Sequence, residues 1–188
     1  MNHIESIDKG LREKKPHNEI IRKVYLTYPT NAFIGNEEQQ YEILDEISQY
    51  FDIPINHIQV CGSSKVGRSF HKKSSFQPKV SDLDIAIIDP ILFIKYCEIV
   101  YKTTNGFQDY SKFKRGDFPS YTEYVSKGIF RPDLMPTCSD RVAWFKFFNT
   151  LSLKHDNYFK SINAGIYQSQ AFFEYKQIKN IKNYIKNG

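Results

Sequence analysis

The chain has 188 residues, 40% of them hydrophobic and 15% aromatic, which suits one domain with a real core and excludes a wholly disordered protein. The net charge of +5, from 26 Lys and Arg against 21 Asp and Glu, is a mild basic excess that fits a nucleotide or RNA partner. A general richness in Lys, Asn, Ile and Tyr competes with that reading and outweighs it on charge alone. No apolar run approaches the roughly 20 residues that cross a bilayer, and Met1 to Pro16 lacks the apolar centre of a signal peptide, so a cytoplasmic protein is expected.

In chain order, residues 1–18 are polar and read as a flexible amino-terminal segment, with a single domain over 19–188. Glu19 to Tyr28 reads as a helix or mixed segment that Tyr28-Pro29-Thr30-Asn31 breaks. From Glu37 to Phe51 the apolar residues Tyr41, Ile43, Leu44, Ile47 and Phe51 recur at helical spacing, and Ile53-Pro54 ends the run. His57 to Cys61 predicts a short strand followed at once by Gly62-Ser63-Ser64. A polar stretch then carries Lys65, Arg68, Lys72, Lys73 and Lys79, with His71 as a further basic group. Leu83 to Ile88 predicts a second strand, closed by Asp89-Pro90, and Ile91 to Tyr101 a buried amphipathic helix.

Residues 107–140 hold Gly116, Pro119, Gly128, Pro132 and Pro136, which predicts loops around a short helix near Tyr121 to Ser126. Trp144, Phe145, Phe147 and Phe148 between Arg141 and Leu153 read as helical core. Ser161 to Tyr167 predicts a third strand and Gln170 to Lys186 a closing helix. The succession points to an α+β domain, a small mixed sheet backed by helices. Cys61, Cys97 and Cys138 are an odd number without metal-ligand spacing, and the five histidines form no cluster, so neither a disulfide framework nor a zinc site is expected.

The chemistry concentrates at two places. Asp82 and Asp84 stand two residues apart at the head of the most apolar strand, so their side chains leave the same face. Two neighbouring anions in partly buried surroundings repel one another, and bound cations relieve the cost. All-oxygen donors favour Mg2+ or Mn2+ over zinc. Gly62-Ser63 supplies a matching half: a Gly after a strand lets backbone approach a ligand closely, and a turn at Ser63 offers N–H groups and a hydroxyl to phosphate. Taken alone, Gly-Ser is an ordinary turn and Asp-x-Asp a solvated edge or a fragment of a calcium loop; the strand-like Ile85 to Ile88 and the missing loop Gly argue against calcium.

In that order these residues resemble the DNA polymerase beta-like nucleotidyltransferase superfamily, whose signature is a strand, Gly-Ser, a short helix, and Asp-x-Asp between apolar residues. Here it stands as Val60-Cys61-Gly62-Ser63-Ser64 and Ser81-Asp82-Leu83-Asp84-Ile85-Ala86-Ile87. The resemblance covers roughly residues 57 to 90, and more loosely the strand at 161–167. It implies a Mg2+–NTP complex and transfer of a nucleoside monophosphate to a hydroxyl of RNA, protein or a small molecule, in settings that include toxin and antiviral-defence systems. Asp82 and Asp84 would hold the metal and act in catalysis. Gly62, Ser63, Ser64, Lys65, Arg68, Ser81 and Asn163 would surround the nucleotide.

Two departures accompany the resemblance. The gap between Ser63 and Asp82 is long, which suggests an inserted basic loop whose Lys65, Arg68 and Lys79 either contact phosphates or are solvated. The later strand offers Asn163 where the resemblance implies a third carboxylate; an amide ligates through its carbonyl but brings no charge and accepts no proton. Asp133 is the carboxylate that could enter from a loop, with Asp117 and Asp140 as weaker candidates. A nucleotidyltransferase-like module that binds nucleotide, RNA or a partner protein without efficient transfer is therefore the alternative. A nuclease using the same carboxylates ranks last, because Gly-Ser has no clear role in it.

Overall fold

A computed structural model describes residues 2–187, with side chains through Lys186. Four strands form one sheet in the order β1-β2-β4-β3, where β1 is Ile58–Cys61, β2 Leu83–Ile88, β3 Ile129–Phe130 and β4 Ile162–Tyr167. β1 lies antiparallel to β2, β4 parallel to β2, and β3 antiparallel to β4, which makes the sheet mixed. The helices are α1 His3–Arg12, α2 His17–Ile21, α3 Glu37–Phe51, α4 Gly62–Val66, α5 Pro90–Thr103, α6 Asp117–Ser126, α7 Ser139–Lys154 and α8 Gln170–Asn187. The α+β architecture expected from the sequence is the one found.

Strand alternation sorts the core into two layers. Leu83, Ile85 and Ile87 of β2, with Ile162 and Ile166 of β4, face one cluster that includes Ile43 and Ile47 of α3, Leu92 and Tyr96 of α5, and Trp144 and Phe148 of α7. Ala86 and Tyr167 face a second cluster built with Ile7 of α1, Ile20 and Ile21 of α2, and Phe173 and Ile181 of α8. Asp82 and Asp84 share the parity of Ala86, so they lie on the α8 side of the sheet, at the end of β2 where its chain enters. Local signals set the helix limits: Asp89 caps α5 by accepting from Leu92 N–H at 2.7 Å, and Pro90 occupies its first turn.

The amino-terminal segment departs from expectation. Instead of a flexible tail, residues 3–12 form α1, whose start is capped by the Asn2 side chain accepting from Ile4 and Glu5 N–H. Ile7 is completely buried against the second cluster, so this segment belongs to the domain. Glu19 to Tyr28 is indeed mixed: α2 widens into a π-helical turn over Arg22–Thr27 before Tyr28. No helix among the described residues is long and apolar enough to cross a membrane.

Candidate active site

β1 delivers the chain to Gly62, and pairing with β2 sets Cys61 opposite Asp84. Gly62 adopts φ +66°, and a Cβ there would lie 2.2 Å from Asp84 Oδ2, so only glycine allows the turn and the carboxylate to pack together. Asp84 is half-buried. Burial, and next the neighbouring Asp82 carboxylate, push its carboxyl up to about 6, while Lys72 pulls the other way.

On the other flank of β2, parallel pairing aligns Asp84 with Asn163. Ser161, two residues earlier on the same face, joins the carboxylate pair to that amide: its hydroxyl donates to Asp82 Oδ1 at 2.8 Å and accepts from Asn163 Nδ2 at 2.8 Å. Ser161 was not among the expected site residues, although the two-residue spacing that pairs Asp82 with Asp84 also pairs Ser161 with Asn163.

Two cavities meet at this point. The first, about 330 Å³, is lined by Gly62, Ser63, Asp82 and Asp84 on one side and by the basic loop on the other, with Arg68, His71 and Lys72. The second, about 490 Å³, runs past Asp84, Asn163, Tyr124, Arg131 and Lys176. Gly62, Asp84 and Asn180 belong to the walls of both. Neither the 65–81 stretch nor α8 beyond Glu174 contains an Asp or Glu, so the segments facing each other across the first cavity are cationic. They touch through Phe70 and Tyr184, whose ring centroids are 4.8 Å apart.

The basic loop is structured. Arg68 bridges Ser75, Ser69 N–H donates to Ser74 O at 2.8 Å, and Phe76 N–H donates to Gly67 O at 2.9 Å, closing a small hairpin. Phe76 packs on Tyr158 and Phe159, and Lys79 N–H donates to Tyr158 O. Arg68 thus faces the first cavity, whereas Lys79 sits exposed at the loop's base, outside the lining of either cavity.

Several expected nucleotide contacts lie elsewhere. Ser64 is buried, with its hydroxyl donating to Cys61 O at 3.0 Å. Lys65 is only 4% exposed and donates to Tyr28 O at 2.7 Å; burial lowers its ammonium to about 8. It lines neither of the two cavities, because its ammonium is held at the Tyr28 carbonyl instead. Ser81 lines the first cavity, and its hydroxyl accepts from Gln77 N–H, which shapes the loop's exit.

Asp133 is exposed on a 3-10 turn and accepts from Nε and Nη2 of Arg131. It lines the second cavity, but among the described residues no third His, Cys, Asp or Glu joins Asp82 and Asp84 in a metal-binding group. Asp117 heads α6 and Asp140 lies in the first turn of α7; neither lines the two cavities. The three cysteines are free.

The donor chemistry fits a hard divalent cation: two adjacent carboxylates, one half-buried and destabilised as an anion, with open space beside them. Two protein carboxylates leave most of an octahedral shell to phosphate oxygens and water, as Mg2+ prefers. No family model, curated protein or solved structure matches the chain.

Proposed function

We propose that this protein is a Mg2+-dependent nucleotidyltransferase that moves a nucleoside monophosphate from an NTP to an acceptor hydroxyl. The observation that carries the reading is Asp84 at the junction of two cavities, beside a glycine turn that no other residue could replace. A transferase must hold two substrates against one reacting centre, and a hydrolase needs only one. The motif resemblance to the polymerase beta-like superfamily agrees with that division.

In this reading the triphosphate occupies the first cavity. Gly62 lets it approach the backbone, Ser63 offers a hydroxyl, and Arg68 and Lys72 balance its charge. Asp82, oriented by Ser161, and Asp84 would hold the cation, which when bound supplies positive charge to the phosphate and the departing pyrophosphate. Preorganised charge and alignment then account for most of the rate.

Asn163 favours a second reading, a module that binds the metal–nucleotide without efficient transfer. The decisive measurement is Mg2+-dependent pyrophosphate release from each NTP with candidate acceptors. Asp82→Ala and Asp84→Ala should each lower it by on the order of 100-fold or more. Unchanged turnover in these variants would overturn the site. Metal–NTP binding without turnover in the wild type would establish the second reading.

A further inference from the structure

Resting on that transferase reading, the second cavity carries information about the acceptor. Its lining holds four side-chain amides, Asn149, Asn163, Gln177 and Asn180, together with Tyr124, Arg131 and Lys176. Arg131 lies over the Tyr124 ring with its guanidinium carbon 4.8 Å from the centroid, and Lys176 approaches the same ring at 5.9 Å. Asp133 balances Arg131. Lys176 is half-buried, and no carboxylate among the described residues pairs with it. A cation that lines a cavity without an ion-pair partner is a ready contact for an anionic ligand. Amides that both donate and accept match the edges of a heterocyclic base, and a planar guanidinium such as that of Arg131 can lie against its face.

We infer that the second cavity receives the acceptor as a nucleoside monophosphate unit, with its phosphate on Lys176, its base among the amides and the Arg131 plane, and its ribose hydroxyl toward Asp84. Such a unit is either a free nucleotide or the 3′ end of a single-stranded RNA. A polycationic small molecule is disfavoured, because Arg131 and Lys176 line this cavity. In the transfer, the ribose hydroxyl oxygen attacks the α-phosphorus of the NTP in the first cavity. A new P–O bond forms, the bond from the α-phosphorus to the bridging oxygen breaks, pyrophosphate leaves with the electron pair, and the hydroxyl proton passes to water.

Binding tests this without turnover. Nucleoside monophosphates, and a short single-stranded RNA with either a free or a 3′-phosphorylated end, are titrated into the full chain without Mg2+ or NTP. The expected result is binding that Lys176→Ala weakens about tenfold and that Lys79→Ala, outside the lining of both cavities, leaves within about twofold. Monophosphates binding as tightly as the RNA would identify a free nucleotide as the acceptor. Tighter binding of the RNA, lost on blocking its 3′ end, would identify the nucleic-acid terminus; either outcome supports the inference. Binding that is absent for all these probes, or unaffected by Lys176→Ala, overturns it, and so does transfer to a protein hydroxyl alone. Failure of the transferase reading is separate, being read from pyrophosphate release.

Discussion

Asn163 occupies the position in register with Asp84, and its amide is already tied through the Ser161 hydroxyl to Asp82. An aspartate there would place a third oxygen-rich anion beside the pair without lengthening the side chain. Asn163→Asp is therefore expected to tighten Mg2+ binding and to raise the rate of pyrophosphate release about tenfold, measured as kcat against Mg2+ concentration. A fall in kcat would instead show that the amide is needed as a donor to the acceptor. That Asn163 would stand near the pair was legible through the motif resemblance, while its register with Asp84 was not, because sequence alone does not fix how two parallel strands are offset. Lys65 was not legible: a Lys directly after Gly-Ser-Ser resembles a phosphate ligand until burial shows its amine against Tyr28 O. Exposure of a single long side chain depends on which element packs over it, and one-dimensional spacing does not encode that.

Among elements, the loop between α4 and β2 and the helix α8 divide the work of enclosing the first cavity. Arg68, His71 and Lys72 lie on the loop, and Asn180 and Asn183 on the helix. The loop segment from Arg68 to Ser75 is held by its own hairpin bonds and by Phe70 against Tyr184, while Phe76 is anchored in the core. Replacing 68–75 by a short Gly-Ser turn should leave the thermal midpoint within a few degrees, because few apolar contacts are lost. The KM for NTP should rise about tenfold or more as the phosphate charges go unbalanced. An unchanged KM would mean that these cations are solvated bystanders.

The long helices α3, α5, α7 and α8 were readable because their apolar residues repeat at helical spacing. The two-residue strand β3 was not, since Ile129–Phe130 pairs with β4 only at Ile166 and Tyr167 and leaves no periodic trace. α1 was hidden for a related reason. Its apolar positions are few among charged ones, and its cap, Asn2, precedes a segment that reads as solvated until Ile7 finds the second cluster.

At the scale of the molecule, the sheet is covered on both faces, and the α8 side depends on elements from opposite ends of the sequence. Arg22 donates to Glu174 at 2.9 Å, Tyr184 donates to Asp8 at 2.9 Å, and Ile7 is buried with Ile181 in one cluster. Ile7→Ala should therefore cost about 3 kcal/mol, as a buried aliphatic truncation does. The loss would be read as a lower urea midpoint at unchanged slope. A surface value of a few tenths would show that α1 is only loosely docked.

The two cavities share a wall, and that wall includes Asn180 of α8 while the sheet below it needs β4 beside β2. Both elements are translated well after the carboxylate pair. A chain still emerging from the ribosome thus carries Asp82 and Asp84 before the residues of α8 that complete either cavity have been made. On the proposed reading, the order of synthesis itself keeps the nascent chain from bringing two substrates together until α8 closes over the sheet.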